Sequence, residues 1–437
     1  MTIIKNFLSL LFIAGLLGWQ TSSFAAINLE LTQGIDAALP IAILPFVGEH
    51  ATDKNGQQIA EVIQADLQNS GRFKLLDTHN AAAPTNNLDI DAAYWRKQRA
   101  DHVVVGRVKA LSGNQYEVEF KLLDMFTDKA AHPSLLTKSY TVDASQLRRL
   151  AHHISDVIYE QLMGEKGIFS THIAYVLVQR AGGTSQYTLE IADIDGVNAH
   201  PLLRSKQPIM SPAWAPNGRQ VAYVSFEGNR ASIYIEDINT GSRYAVASYA
   251  GVNGAPAWSP DGRKLALVLS KDGNPKIYTL DLASKTLTQL TRGLSLDTEP
   301  CWAPDGRSLL FTSNRGGNNP QIYRLNLSSG SIERVTFSGD YNATASFDTR
   351  GLRIAMLRGQ GGQYNIAIQD LKSGRTRILT DSGMDESPSI ASNGSMVVYA
   401  TKHGGRGVLG MVSADGRVKL RLPAREGDVQ GPAWSPH

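Results

Sequence analysis

The chain has 437 residues, of which 42% are hydrophobic and 19% are charged. This length is more than one ordinary domain needs, and the hydrophobic content excludes an intrinsically disordered chain. The formal net charge of +3 argues against nucleic acid and against an anionic membrane surface as partners. Residues 26–163 carry 13 basic and 17 acidic side chains, whereas residues 164–437 carry 29 and 23, so the C-terminal part is expected to attract acidic partners weakly.

Residues 1–25 have the features of a secretory signal peptide. Lys5 precedes an apolar run over residues 7–17, and the segment ends in the sequence Ser-Phe-Ala at residues 23–25. The apolar run is shorter than the about 20 residues that a membrane-spanning helix needs. We therefore predict cleavage after Ala25. The chain has only one cysteine, and a large exported chain without disulfides points to the bacterial periplasm.

Residues 26–39 alternate polar and apolar side chains, as a β-strand does. No partner strand is obvious within the domain that follows. Two interpretations remain open: the segment packs as an edge strand of its own protein, or it detaches and pairs with another protein by strand addition.

Residues 40–165 combine strand and helix patterns and are predicted to form a small α/β domain. The single βαβ-like unit lacks a glycine-rich loop after its first strand, so no nucleotide site is indicated. His152 and His153 are adjacent on one helix and cannot face one another, so we expect them to be solvated or half-buried and not to be ligands. The predicted strands cover residues 41–46, 72–76, 101–111 and 115–125, and the predicted helices cover residues 57–69, 94–99 and 145–163.

A motif of the form Pro-x-Trp-x-Pro-x-Gly recurs along the last two thirds of the chain. Trp214, Trp258 and Trp302 lie 44 residues apart, and Phe347 and Ile390 take the tryptophan position in degenerate copies. Three further strand-like runs follow each motif. A period of about 40–50 residues with four short strands is typical of a β-propeller, in which each repeat forms one blade.

The number of blades follows from the two ends of the repeat region. Residues 171–205 supply the later strands of a blade without its first strand, and residues 431–436 supply a first strand with no blade after it. Pairing the two closes a ring of six blades over residues 170–437, removes exposed sheet edges and favours a monomer. An Asp or Asn recurs at one position of each third strand, at Asp193, Asp237, Asp281, Asn326 and Asp370.

No catalytic constellation is present in the sequence, and no cofactor is expected. A Gly-x-Ser-x-Gly elbow is absent, and the GxGxxG match at residues 405–410 lies between propeller strands and opens no helix. Cys301 is expected on an innermost strand as a small apolar side chain. The carboxylates of Glu299, Asp385 and Glu386 precede innermost strands and are candidates for a cation site at the channel, but charges are common at blade ends.

A binding surface is the remaining hypothesis. The loops that lead into the innermost strands gather at one mouth of the channel, and function tends to lie on such loops. The loops at residues 252–255, 297–299 and 384–386 should therefore share one face. The competing classes are an enzyme that uses the channel as its cleft, supported by the carboxylates at the mouth, and a ligand-binding propeller.

The chain combines the leader with AINLELTQGIDAALPIAILPF, YWRKQRADHVVVGRV, NGAPAWSPDGRKLAL, TEPCWAPDGRSLLFTS and RLPAREGDVQGPAWSPH. This combination covers essentially the whole mature chain and resembles the TolB family, the periplasmic propeller proteins of the Tol-Pal system in Gram-negative bacteria. Isolated WSPDG blades also occur in peptidase propellers, but their combination with this N-terminal domain is specific. The resemblance implies a non-catalytic scaffold that supports outer-membrane integrity and constriction at cell division.

The resemblance also implies protein partners. It implies that the protein contacts membranes only through those partners. In the family the propeller mouth binds the lipoprotein Pal, the mature N-terminus communicates with TolA, and colicins and filamentous phage exploit the machinery in some bacteria. A valine stands at Val252 where the enteric proteins carry a histidine. The expected Pal-binding residues are Val252, Asn253, Gly254, Ala255, Thr298, Glu299, Asp385 and Glu386. The expected TolA-binding residues, which favour the detachable interpretation, are Ala26, Ile27, Asn28, Leu29, Glu30, Leu31, Thr32, Gln33, Gly34, Ile35 and Asp36.

Overall fold

The computed structural model describes residues 28–31, 38–48, 54–84, 87–126, 134–317, 319–423 and 426–437. The predicted signal peptide lies outside these described residues, and so does most of the predicted TolA-binding segment. Within the described part of the chain, no helix is both long and apolar enough to cross a bilayer.

The N-terminal domain is a mixed sheet with helices on both faces. The strand Leu39–Ile43 pairs in parallel with a neighbour on each side, and the sheet continues antiparallel beyond. The strands in spatial order are Phe73–Leu75, Leu39–Ile43, His102–Ala110, Gln115–Asp124 and Ser134–Asp143, and Val47–Gly48 also pairs with His102–Ala110. The helices are Asn55–Asn69, Ala92–Lys97 and Leu147–Met163, with 3₁₀ turns at Ser112–Asn114 and Ala144–Gln146.

The sheet is covered on both faces around its central strand, Leu39–Ile43, which is apolar at every position. Ile41 and Ile43 pack with the helices Asn55–Asn69 and Leu147–Met163, whereas Ala42 packs on the other face with Trp95 of the short helix. Such near-continuous apolar runs are typical of strands covered on two sides.

The predicted helices and strands of this domain are present, but the two-residue strand Val47–Gly48 and one long strand were not predicted. Ser134–Asp143 is a ten-residue edge strand, and most of its side chains are exposed or half-buried. Leu136, Tyr140 and Val142 pack against the core from one of its faces, but Lys138 interrupts the alternation of apolar residues along that face, so the pattern is weak in the sequence.

The rest of the chain forms a six-bladed β-propeller, as predicted. Blades 2 to 6 are each built from four consecutive antiparallel strands. Blade 2 is Ile209–Trp214, Gln220–Ser225, Ser232–Asp237 and Arg243–Ala247, and blade 3 is Asn253–Trp258, Lys264–Leu269, Lys276–Asp281 and Leu287–Gln289. Blade 4 is Asp297–Trp302, Ser308–Ser313, Gln321–Asn326 and Ile332–Arg334, and blade 5 is Tyr341–Phe347, Arg353–Gln360, Gln363–Asp370 and Thr376–Ile378. Blade 6 is Glu386–Ile390, Met396–His403, Arg406–Ser413 and Val418–Arg421.

Blade 1 is assembled from the two ends of the repeat region. It contains His172–Ala181, Thr184–Asp193 and His200–Ser205, and its innermost strand is Asp428–Trp434, which pairs antiparallel with His172–Ala181. The indole Nε1 of Trp434 donates to Thr171 Oγ1 at 2.8 Å. The predicted ring closure is therefore confirmed.

The repeated tryptophan links neighbouring blades. Trp258 Nε1 donates to the carbonyl oxygen of Ala213, in the innermost strand of the preceding blade, at 3.1 Å. Trp302 makes the same bond to Ala257 at 3.2 Å, and Trp214 bonds in the same way to the closing strand. The 44-residue stride of the tryptophans thus corresponds to one hydrogen bond at each of these blade junctions.

The Asp or Asn that ends a third strand caps the turn that follows. Oδ1 of Asp237 accepts from the backbone N–H groups of Asn239 and Thr240, both at 3.0 Å. Asp281 and Asn326 accept from the equivalent N–H groups of their own turns. The N–H groups of Thr240 and Asn239 lower the pKa of Asp237, as expected for a carboxylate that accepts backbone hydrogen bonds.

The two domains meet at a buried ionic contact that corrects one prediction. His152 is buried, and its Nδ1 lies 2.8 Å from Oδ2 of Asp66, in the helix Asn55–Asn69. The expectation that His152 is solvated or half-buried is wrong because a second helix and a propeller turn enclose it, which the pattern of its own helix does not reveal. Its neighbour His153 is exposed.

The propeller contributes two carboxylates to this contact. Arg148 forms an ion pair with Asp195, and its Nε lies 3.5 Å from Oδ2 of Asp193. Burial by itself lowers the pKa of His152, but the charges of Asp66 and Asp195 outweigh it and raise the pKa to about 9. His152 is therefore protonated at neutral pH.

The described part of the N-terminal segment, Asn28–Leu31, pairs with the propeller. It runs antiparallel to Val418–Arg421 and forms a fifth, outermost strand of blade 6. Its partner strand thus lies in the other domain, about 390 positions along the sequence, which is why no partner was found nearby in the chain.

Candidate functional site

The topology of the blades separates the two ends of the propeller. Since neighbouring strands are antiparallel, the loop into each innermost strand and the loop between the second and third strands lie at the same end, which we call the mouth. The opposite end carries the Pro-Asp-Gly turns and the capped turns. There the N-terminal domain is attached, for example where Asn393 Nδ2 donates to the carbonyl oxygen of Lys166 at 2.8 Å.

A β-bulge recurs near the mouth in all six innermost strands, where the register shifts against the second strand. One residue within each bulge has a φ between +43° and +58°. These residues are Ser211, Ala255, Glu299, Thr344, Ser387 and Gly431. Five of the six are not glycine, and the left-handed conformation costs such residues on the order of 1 kcal/mol each. Strain of this kind is concentrated at binding sites, and here it surrounds the channel.

The four predicted residues of blade 3 have different environments where the loop enters its innermost strand. Val252 is 46% exposed, and Gly254 and Ala255 are half-buried. Asn253 is fully buried: its Oδ1 accepts from the N–H of Tyr249 at 2.9 Å, and its Nδ2 donates to the carbonyl oxygen of Tyr249 at 2.7 Å. Asn253 therefore fixes the loop, while Val252 forms its exposed surface.

The predicted residues of blade 4 connect it to blade 5. The carboxylate of Glu299 accepts from Thr312 Oγ1 at 2.7 Å, and from the N–H and the Oγ1 of Thr344 at 2.9 and 2.8 Å. Thr298 is half-buried beside it. Glu299 thus stabilises a bulge and the junction between two blades.

The two predicted carboxylates of blade 6 differ in exposure. Asp385 is buried and accepts hydrogen bonds from the hydroxyl groups of Thr380 and Ser382. Glu386 is exposed and lies at the rim of the channel. The structure therefore places all eight predicted residues at the mouth, but it buries the side chains of Asn253 and Asp385.

A set of exposed apolar side chains at the mouth was not predicted from the sequence. Loops that enter the innermost strands, or the first residues of those strands, expose one or two large apolar side chains in each of blades 2 to 6. Leu294 is 92% exposed and Phe337 is 76% exposed. The set, which we call the apolar rim, is Met210, Val252, Leu294, Leu296, Phe337 and Met384. The signal available in the sequence was a large apolar residue within each otherwise polar loop.

The central channel has a volume of about 570 Å³ and is lined by proline, tryptophan and alanine residues of the innermost strands. Cys301 lies on one of these strands, as predicted, and burial raises the pKa of its thiol to about 11, so the thiol is protonated at neutral pH. The GxGxxG match falls in a turn and in the strand Arg406–Ser413.

The candidate cation site at the mouth has no support in the geometry of the described residues. Protein donors already engage the carboxylates of Glu299 and Asp385. Among the residues that the structure describes, one group of potential metal ligands has its ligand atoms within 4.8 Å of one another. This group is His152, Asp193 and Asp195, and it lies at the domain interface and not at the mouth. Arg148 and the protonated His152 supply positive charge there.

Comparison with known proteins agrees with this architecture. The family model of the TolB beta propeller domain matches residues 159–437, and that of the TolB amino-terminal domain matches residues 27–131. The chain is 53% identical over 418 residues to the Tol-Pal system protein TolB of Coxiella burnetii, covering 95% of each chain. It is 52% identical over 417 residues to the protein of the same name from Legionella pneumophila strain Corby, covering 95% of this chain and 96% of that one.

A solved structure supports the same assignment. The crystal structure of TolB from Acinetobacter baumannii has a TM-score of 0.85 and 40% sequence identity, and the match covers 94% of this chain and all of that one. The family consists of scaffold components and not of enzymes, which answers the alternative of a propeller hydrolase or lyase. The chain belongs to the TolB family and is a component of the Tol-Pal system.

Proposed function

We propose that the protein acts in the periplasm, that the mouth of its propeller binds the lipoprotein Pal, and that its mature N-terminal segment binds TolA. The observation that carries the proposal is the apolar rim, a set of large exposed side chains on loops that a closed ring holds rigidly. Exposed apolar surface of this kind marks protein–protein interaction sites in soluble proteins.

The surroundings of the rim support the same use. Val252 belongs to the rim and lies within the loop that Asn253 fixes, so the loop is organised before a partner arrives. Ala255 lines the channel immediately inside the rim. A central apolar surface with polar groups such as Glu386 around it is the usual anatomy of a protein interface.

A calorimetric titration of the protein from Ala26 onwards with the soluble domain of Pal from the same bacterium tests this placement. We expect saturable one-to-one binding that Ala255→Arg and Thr298→Arg each weaken, because each adds a long charged side chain at the rim. Unchanged affinity in both variants would show that Pal binds elsewhere. Absence of binding by the unmodified protein would return the ligand-binding propeller to consideration.

The pairing of Asn28–Leu31 supports a role for the N-terminal segment. The pairing is at the outer edge of blade 6, so removing the strand exposes the edge of Val418–Arg421 without interrupting the ring. A segment bound in this way can exchange its own propeller for the edge of another protein. We infer that TolA captures the segment Ala26–Asp36 when it leaves this edge.

Coupling between the two partners follows if Pal and the segment favour different arrangements. Linkage requires that the effect be reciprocal, so deleting residues 26–36 should change Pal affinity as well as abolish TolA binding. Titrations of the intact and the truncated protein with each partner measure the affinities for Pal and for TolA. An unchanged Pal affinity would mean that the two sites act independently.

The cellular role that we propose is support of outer-membrane integrity and of constriction at division. We expect cells that lack the protein to become sensitive to detergent and to form chains. If Pal binding carries the role, a gene copy that encodes Ala255→Arg should not restore detergent resistance and cell separation. A gene copy that encodes Leu352→Ser, at the other end of the propeller, should restore both.

A further inference from the structure

We propose that the cleft between the N-terminal domain and blades 5 and 6 binds a multivalent anion of the phosphate type. The cleft has a volume of about 660 Å³ and lies at the end of the propeller opposite the mouth. It lies apart from the mouth, and one of its lining residues, Val418, is also the backbone partner of Leu31 in the N-terminal segment.

The charge of the cleft is its main feature. Its lining contains six arginines, three acidic side chains and no lysine, which leaves an excess of three positive charges. The buried carboxylate of Asp348, beneath two of the arginines, reduces this excess to two. The six arginines are Arg72, Arg350, Arg353, Arg375, Arg377 and Arg417. Part of the surplus of basic residues in the propeller sequence is thus collected at one place.

Arg353 is held in position for binding. Its Nε lies 3.4 Å from Oδ2 of Asp348, and its Nη2 donates to the carbonyl oxygen of Gly394 at 3.1 Å. A Cβ at Gly394 would come within 2.7 Å of that Nη2, so glycine leaves room for the guanidinium. A fixed guanidinium loses less entropy on binding and presents its remaining N–H groups in a planar fork that matches two phosphate oxygens.

Arg72 and Arg375 extend the site from both domains. Both are exposed, and neither forms an ion pair within 4 Å with any residue that the structure describes. Arg72 follows the first helix of the N-terminal domain, whereas Arg375 lies in the turn before the last strand of blade 5. An anion between them would therefore bridge the two domains.

The acidic side chains of the lining are engaged by the protein itself. Asp370 accepts from the N–H and the Oγ of Ser373, both at 2.7 Å, and Glu165 accepts from the hydroxyl of Tyr159 at 3.3 Å. Asp370 and Glu165 are thus oriented by local contacts. The third acidic residue, Asp415, accepts from the Oγ of Ser413, and its Oδ2 also lies 3.9 Å from Nε of Arg417. A cleft of this size, lined by arginine and not by lysine, fits a phosphate ester or a lipid headgroup better than a folded acidic protein.

The test uses the protein from Ala26 onwards, with inorganic pyrophosphate as probe, in calorimetry at low and at physiological salt. We expect saturable binding that weakens with salt. The double variant Arg72→Gln/Arg375→Gln should lower the affinity roughly 10-fold or more, because it removes two charge-assisted contacts. The matched control is Arg263→Gln, which removes an exposed arginine from a turn at the same end of blade 3. Melting curves of all variants verify folding.

A second experiment distinguishes lipid headgroups from soluble phosphate esters as the natural ligand. In it, the protein is sedimented with vesicles of equal parts phosphatidylglycerol and phosphatidylcholine. Sedimentation that the double variant loses assigns the site to lipid headgroups, and pyrophosphate binding without sedimentation assigns it to soluble phosphate esters. The proposal is overturned if pyrophosphate does not bind saturably, if the double variant binds it as well as the unmodified protein, or if Arg263→Gln weakens binding equally.

Discussion

At its mouth the propeller exposes apolar side chains on loops that buried hydrogen bonds fix, whereas at the opposite end it exposes arginines around a cleft shared with the N-terminal domain. Both ends are built on the same six blades. The strands carry the repeat because each must pack against its neighbours, while the loops at each end are free to differ. The difference teaches that a single repeated scaffold can present two chemically unlike surfaces, and that each can be altered separately.

The largest expected effect comes from removing the scaffold that both ends share. Deleting residues 430–437 takes away most of the strand that closes the ring, including Trp434 and its bond to Thr171. We expect a loss on the order of the whole stability of a domain, about 5 kcal/mol or more, because blade 1 loses its innermost strand. Thermal unfolding monitored by circular dichroism measures it. Removal of His437 alone is the control, and an unchanged melting temperature after the longer deletion would contradict the closed ring.

The next largest effect on stability is expected at the end of the propeller that carries the N-terminal domain, and it should not extend to the mouth. His152→Leu leaves the buried carboxylate of Asp66 without its cationic partner, which is expected to cost about 3–5 kcal/mol. The loss should loosen the N-terminal domain and leave binding at the mouth unchanged. Denaturant unfolding and a Pal titration measure the two quantities. His153→Leu, at the exposed neighbouring position, should change neither.

The same contact predicts a dependence on pH. The pKa of His152 is raised from 6.5 to about 9 in the folded protein, so its contribution is complete below pH 6.5 and is lost as the pH rises through 9. The groups that face it are Asp66, Asp195 and Arg148. We expect the melting temperature to fall between pH 7 and 10, and to fall less in His152→Leu. Equal pH profiles for the two proteins would argue against a charged His152.

A smaller effect tests one junction between blades. Trp258→Phe removes the hydrogen bond to Ala213 but keeps an aromatic ring, and Phe347 shows that this position accepts phenylalanine. We expect a loss of about 1 kcal/mol in the free energy of unfolding. Trp258→Ala, which also removes the packing, should cost about 3–5 kcal/mol. Equal losses in the two variants would mean that the indole N–H contributes most of the stabilisation.

The smallest effect on stability is expected at the apolar rim. Leu294 is 92% exposed, so Leu294→Ser should change the free energy of unfolding by less than about 0.5 kcal/mol. If the rim binds Pal, the same variant should weaken Pal affinity roughly 5-fold or more. Leu352→Ser, at an exposed leucine of the other end, should leave affinity unchanged. Equal affinities for the two variants would remove Leu294 from the interface.

The sequence by itself determined the repeated architecture. The stride of the tryptophans and the two incomplete ends of the repeat were sufficient for six blades and for their closure, because strand periodicity and turn chemistry are local properties of the chain. They were also sufficient to place the predicted binding loops at one mouth, since the direction of successive strands fixes which loops lie together.

The tertiary structure decided what each of these residues does. Asn253 and Asp385 are buried and fix loops, and the positive φ at residues such as Ala255 follows from bulges that form only when neighbouring strands pair. The burial of His152, the pairing of Asn28–Leu31 with blade 6 and the collection of six arginines in one cleft each join segments that are distant in the sequence. Such contacts depend on how whole elements pack in space, and no local pattern of residues encodes them.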